Sequence, residues 1–291
     1  MTFEVDPFSG SFHADPGPRR TGRLPVDGAE IYYEVTGRGP AILFAHGLGG
    51  NHMSWWQQVS HFQHAYTCIT FAHRGFAPSR VEGGQPDPAR YAGDLGALID
   101  HLGLDRVHLV GQSMGGWTVV EYCIQQPHRV RSLVLSATVG SIDLERLSSL
   151  APGLLASWLQ EVETKVAQCR EAGVHPAAGS RMAREQPALH LLYRYIDEQA
   201  QGLDKELLRS RLRAMRLRAP AELAATGIPV LIVSPEEDLV IPPAALHALA
   251  REVAASLLVE VPQAGHSPYF EKAAAFNQRL DEFFHGVDRQ R

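Results

Sequence analysis

RVHLVGQSMGGWTVVEYCIQQP (106–127) reads as a strand, a sharp turn and a helix. RVHLVG (106–111) is a short apolar run of the kind that forms a buried strand. The helix spans 114–126 and ends at Pro127. Between them lies Gly111-Gln112-Ser113-Met114-Gly115. A residue on so tight a strand-to-helix turn needs unusual backbone angles, and Gly111 and Gly115, two either side of Ser113, relieve the crowding. Gly116 lets the new helix pack close to the sheet. Ser113 Oγ then stands above the carboxyl end of the strand, at a helix N-terminus that favours developing negative charge. Gly-x-Ser-x-Gly by itself occurs often by chance. Its strand–turn–helix setting makes a nucleophile a better reading than a glycine turn that only tightens packing.

Working outward, strands and helices alternate on both sides. EIYYEVT (30–36), AILFAH (41–46), YTCITFA (66–72) and RSLVLSA (131–137) read as strands, with helices over 53–65 and 89–102. This alternation predicts a parallel sheet covered on both faces. It stops at residue 139. From 139 to 222 only helical stripes are legible, the first carrying Leu155, Trp158, Leu159, Val162, Val166 and Cys169. PVLIVS (229–234) and SLLVEV (256–261) resume the strands, with helices over 243–254 and 270–285. The expected organisation is an irregular arm (1–27), perhaps closing in one short strand, an α/β core in two pieces (28–138 and 223–287) and a helical lid between them (139–222). Length alone, 291 residues, suggests two consecutive domains. The pattern instead gives one catalytic domain interrupted by its own lid.

A serine hydroxyl needs a base to take its proton, and a histidine base needs a carboxylate to fix its tautomer. Ala264-Gly265-His266-Ser267-Pro268 follows the last strand, where His266 could reach Ser113. Asp238 follows the strand 229–234, with Glu236 and Glu237 as competitors. The order Ser113, Asp238, His266 is that of the α/β-hydrolase arrangement. The oxyanion of a tetrahedral intermediate needs two backbone donors. Met114 N–H is one; Leu48 N–H, in His46-Gly47-Leu48-Gly49-Gly50, is the other. That loop lacks the spacing of a dinucleotide-binding loop. His46, Gly47 and Gly49 beside Leu48, Trp117 one turn beyond Ser113 and Trp158 in the lid are candidate substrate contacts. For the two tryptophans, plain packing is the commoner use.

Composition is that of a globular chain, 45% hydrophobic and 20% charged, with a net charge of −5. No global basic field points to a nucleic-acid or membrane partner. Cys68, Cys123 and Cys169 are odd in number and scattered, which argues against a disulfide framework or thiolate metal site. His61 and His64 have helical spacing but no third ligand nearby. No metal or cofactor is expected. The first residues lack a signal-peptide pattern, and no apolar run is long enough to span a bilayer, so a cytoplasmic location is expected. Arg209, Arg213 and Arg216 share a helix face in the lid. The bland reading is a surface stripe; the sharper one is a basic rim that attracts a carboxylate or a phosphate on a thioester substrate.

Together, HGLGG (46–50), FAHRGFAPS (71–79), GQSMGG (111–116), EEDLVIPP (236–243) and AGHSPYFE (264–271) resemble the α/β-hydrolase superfamily. The likeness is closest to its small bacterial esterase, lactonase and C–C hydrolase branch, and covers nearly all of 28–286. It implies an α/β-hydrolase fold: a mostly parallel eight-stranded sheet, helices on both faces, and a helical cap after the sixth strand. Three positions depart from the usual pattern. Ala72 stands where the family has Asp, Ala77 where it has Gly, and Pro235 where it has Gly. The expected activity is cofactor-free hydrolysis of a small ester, lactone or thioester. Rivals are C–C hydrolysis of a β-diketone, perhydrolysis or cofactor-free oxygen chemistry, and a non-catalytic ligand receptor. Monomer and homodimer are equally open.

Overall fold

The computed structural model describes residues 17–148, 152–200 and 202–289. Its sheet runs β1(Arg20–Val26), β2(Ala29–Thr36), β3(Ala41–Ala45), β4(Thr67–Phe71), β5(Arg80–Val81), β6(Val107–Gln112), β7(Val130–Ser136), β8(Val230–Pro235) and β9(Ser256–Val261). The spatial order is β1-β2-β4-β3-β6-β7-β8-β9, with β5 paired to the start of β2. Pairings from β4 across to β9 are parallel; those of β2 with β1, β4 and β5 are antiparallel. The path therefore holds the eight expected strands, and the two-residue β5 is an addition.

The helices are α1(Trp56–Phe62), α2(Tyr91–His101), α3(Gly115–Gln125), α4(Leu144–Ser148), α5(Pro152–Glu171), α6(Gly179–Glu185), α7(Pro187–Glu198), α8(Lys205–Ala214), α9(Pro220–Ala224), α10(Pro243–Glu252), α11(Pro268–Glu271) and α12(Ala273–Arg289). Successive side chains of a strand point to opposite faces, and the central strands are apolar on both. Leu43, Leu109, Leu133 and Ile232 pack on one side with residues of α2, α3 and α10. Ile42, Phe44, Val110, Val134 and Val233 pack on the other with Phe62, Phe276 and Phe284 of α1 and α12. Burial on both faces is why these strands read as unbroken apolar runs.

Residues 1–16 lie outside the described residues. The short strand expected near the end of the arm is Arg20–Val26. It pairs with β2 over its whole length, and Leu24 and Val26 pack against the core while Arg20 is exposed. The sheet thus begins at residue 20, within the expected arm and not at residue 28. Gly22 and Pro25 are tolerated in this edge strand, because one side of its ladder needs no partner.

Helices α4 to α9 lie between β7 and β8. Ile142 and Arg218 form a bridge at the base of this insertion, where Asp143 N–H donates to Arg218 O at 2.9 Å. In the stripe of α5, Val162 and Cys169 are buried, whereas Leu159 is 52% exposed; the Leu155 side chain lies outside the description.

Candidate active site

Ser113 sits at the end of β6 with φ +49°, a left-handed conformation that a non-glycine residue rarely adopts. Its neighbours hold it there. Ser113 N–H donates to Ser136 O at 3.1 Å, and Ser113 O accepts from Gly116 N–H and from Thr138 Oγ1, both at 2.9 Å. The glycines are required by contact. A Cβ on Gly115 would lie 2.1 Å from Ala45 O, one on Gly111 2.5 Å from Val119 Cγ2, and one on Gly116 2.3 Å from Thr138 Oγ1.

The loops after β8 and β9 meet beside this turn. His266 Nδ1 lies 2.9 and 3.0 Å from the two carboxylate oxygens of Asp238. Asp238 Oδ1 also accepts from Val240 N–H at 2.7 Å and Ile241 N–H at 2.9 Å, so the buried charge is well supplied with donors. Gln112 Nε2 donates to His266 O at 2.9 Å and ties the histidine loop to the strand that carries Ser113. His266 Nε2 is buried and has no hydrogen-bond partner among the described residues. Ser113 and His266 line the same cavity, of about 610 Å³. Glu236 and Glu237 take no part: Glu236 accepts from Gln263 N–H, and Glu237 pairs with Arg181. Pro235 does not disturb the acid loop. β8 continues through it, and Glu236 N–H donates to Val261 O at 3.1 Å.

A match to the family described as alpha/beta hydrolase fold spans residues 40–273. The chain belongs to the alpha/beta hydrolase family. It is 31% identical over 273 residues to the Mycobacterium tuberculosis protein provisionally named non-heme bromoperoxidase BpoC, covering 88% of this chain and 98% of that one. It is 26% identical over 248 residues to 3-oxoadipate enol-lactonase 2 of Acinetobacter baylyi, covering 83% and 87%. Its fold matches the solved structure of Est816, titled an N-acyl homoserine lactone degrading enzyme, with TM-score 0.73 and 23% identity over 90% of this chain and 100% of that one. Membership makes this chain an enzyme of the hydrolase class.

In this alpha/beta hydrolase the other expected residues divide. Leu48, Gly49, Met114 and Trp117 line the cavity with Ser113. The N–H groups of Leu48 and Met114 have no acceptor among the described residues. His46, Gly47 and Trp158 do not line the cavity that Ser113 lines. His46 is fully buried; its Nε2 lies 3.0 Å from both His73 N and His73 Nδ1, and its Nδ1 2.8 Å from Gly47 O. This pattern assigns the proton to Nδ1. Burial lowers His46 to about 3 and drives His73 well below the ordinary range, so both rings stay neutral. Gly47 is small because a Cβ there would lie 2.2 Å from Gln112 Oε1. Trp158 lines a separate cavity with Asp238, its indole N–H 3.3 Å from Asp238 O.

The loop that departs from the family at Ala72 and Ala77 is held by other means. Ser79 Oγ donates to Ala72 O at 2.7 Å and accepts from Tyr32 N–H at 2.7 Å, and Arg74 pairs with the buried Asp94. His61 pairs with Asp281 at 2.6 Å.

The insertion supplies walls that sequence reasoning passed over. Tyr193, Asp197, His175 and Arg170 line the cavity. Helical stripes were legible there, but not which of their residues meet the site. Glu271, within the quoted AGHSPYFE segment, is a second omission. Burial raises its carboxyl to about 7, and its Oε1 has no partner among the described residues. No helix in the described residues is long and apolar enough to cross a membrane.

Proposed function

We propose that this enzyme is a serine hydrolase acting on a small ester, lactone or thioester through an acyl-enzyme. The carrying observation is His266: Nδ1 is fixed by Asp238, and a buried, unpartnered Nε2 shares a cavity with Ser113. His266 Nε2 has no partner among the described residues, which leaves it available to accept the Ser113 proton. Ser113 then attacks the carbonyl and His266 takes its proton. Asp238 holds the imidazole and stabilises the imidazolium. The N–H groups of Leu48 and Met114 receive the oxyanion; each such donor contributes roughly 3 to 4 kcal/mol. His266 protonates the leaving group and then activates the water that releases the acid. Helices α4 to α9 act as a lid that shapes the pocket and excludes bulk water. No metal, cofactor, nucleic acid or membrane enters this scheme, and we place the enzyme in the cytoplasm.

The enol-lactonase and lactone-degrading relatives support the substrate range. Similarity to BpoC favours a second outcome, perhydrolysis, in which peroxide intercepts the same acyl-enzyme in place of water.

A fluorophosphonate is expected to label wild type at Ser113 and to leave Ser113→Ala unlabelled. A panel of short esters, lactones, thioesters and a vinylogous diketone is then assayed with and without peroxide. Absence of labelling together with absence of turnover overturns the proposal. Turnover of the diketone alone selects C–C hydrolysis. Tight binding of a ligand without labelling or turnover selects a receptor.

A further inference from the structure

The part of the cavity lining that α8 and the residues after it supply is positively charged and short of partners. The two carboxylates of the cavity lining are already matched: Asp197 pairs with Lys205 at 2.7 Å, and Glu206 with Arg209. Arg213 and Arg216 line the same cavity, yet neither guanidinium makes a hydrogen bond or ion pair with any described residue. The rest of the stripe is accounted for outside it. Arg211 donates to Pro86 O at 3.0 Å, and Arg218 to Glu121 and Glu222.

Arg216 is the more telling of the two. Its guanidinium lies 4.8 Å from the centre of the Trp117 ring, and its Nε is buried without a partner. Trp117 is itself fixed, its indole N–H donating to Leu212 O at 2.9 Å. It stands four residues after Ser113, about 6 Å along the helix. A guanidinium has five N–H donors in a planar fork and stays charged in a protein. Burial, and then the neighbouring charge of Arg213, lower Arg216 to about 10, so the Arg216 cation is disfavoured by a like charge beside it. A carboxylate or phosphate between them supplies both the missing acceptors and the missing charge.

We propose that Arg216 and Arg213 form an anion subsite, and that the substrate carries a carboxylate or phosphate remote from the carbonyl that Ser113 attacks. This deepens the serine-hydrolase reading and rests on it only for the position of that carbonyl. Trp117, whose ring faces Arg216, lines the same cavity as Ser113 and Met114.

Calorimetry on Ser113→Ala protein tests the subsite without requiring turnover. Monomethyl glutarate is compared with dimethyl glutarate, which has nearly the same shape and no charge. The monoester is expected to bind about tenfold more tightly, the usual contribution of charge-assisted hydrogen bonds. Adding Arg216→Gln abolishes the preference and Arg213→Gln reduces it, while Arg251→Gln, on the exposed face of α10, leaves it intact. Methyl 4-phosphonobutanoate as a third ligand decides whether phosphate or carboxylate is the better fit. Equal affinity of monoester and diester, or no binding of either, overturns the subsite. So does a preference that survives both arginine changes; Arg213 is exposed, so that variant reports even if Arg216→Gln fails to fold. Fluorophosphonate labelling of wild type is independent of all these outcomes, so failure of the subsite and failure of the serine-hydrolase reading are separable.

Discussion

The two walls of the cavity are built on opposite principles. The sheet-borne wall is made from strand ends and short loops in which nearly every polar group is assigned. Ser113 is held through both its backbone N–H and its carbonyl, Asp238 accepts three donors, and His46 and His73 are buried and neutral. The wall from the insertion is made from helix faces that carry charge, and some of that charge is unmatched. Leu159, Leu191, Leu207 and Tyr195 of the same helices remain exposed. Discrete hydrogen bonds fasten one wall to the other: Asn51 to Gln199, Gln186 to Glu271 O and Arg181 to Glu237. The contrast separates two tasks. Fixed geometry at the sheet suits a reaction common to many substrates, whereas unmatched charge on the insertion suits selection among them.

That division is broken most directly at Asp238. Asp238→Asn keeps the size of the side chain but replaces one oxygen with a donor. His266 Nδ1–H then loses its ionic acceptor, and the wrong tautomer is favoured. A fall in kcat of about 10⁴ is expected. Circular dichroism and melting of the variant check that the fold is kept. If a steady-state assay on the best panel substrate shows less than about a tenfold fall, the sheet wall is not the chemical one.

The same division explains what could be read from sequence. Ser113, Asp238 and His266 were legible because strand ends and turn glycines are local signals, and each glycine was demanded by a short-range contact such as that of Gly115 with Ala45 O. His46 was misplaced as a substrate contact because sequence puts it beside Leu48 but cannot show the ring turning inward to His73. β1 was expected only as a short strand closing the arm, because its edge position permits Gly22 and Pro25, which blur its bounds. On the insertion, helical periodicity gathered Arg209, Arg213 and Arg216 on one face. It could not show that all three line the cavity, Arg209 with Glu206 as a partner and the other two guanidinium groups with none among the described residues. Such pairing depends on long-range packing, which leaves no local pattern.

A stability measurement sharpens the contrast. Gly115→Ala places a methyl group 2.1 Å from a main-chain oxygen of β3, and backbone cannot swing aside as a side-chain tip can. A loss of roughly 3 kcal/mol is expected, the upper part of the range for overpacking. Leu159→Ala, on the exposed side of α5, is expected to change stability by less than about 0.5 kcal/mol. Urea unfolding of both variants tests the pair. Equal losses would mean that the insertion is packed as tightly as the sheet.

Glu271 lies where the two walls meet, and its effect is spread over a pH window. Gln186 of the insertion donates to its carbonyl at 3.0 Å, and its carboxyl lies under Gly265, beside His266. Burial raises the carboxyl from 4.5 to about 7, against the N–H groups of Gly265 and Ser267, which favour its ionised form. Between those values the folded chain holds a proton that the unfolded chain has released. The stabilisation is therefore complete below pH 4.5, is lost as pH rises to about 7, and stays lost above. The change is at most about 3 kcal/mol. Glu271→Gln removes this titration, so its melting temperature relative to wild type should climb between about pH 5 and about pH 8. Parallel melting curves for the two proteins across that window would show that the carboxyl ionises freely. The seam between the walls would then be open to water, and the fixed wall would end at His266.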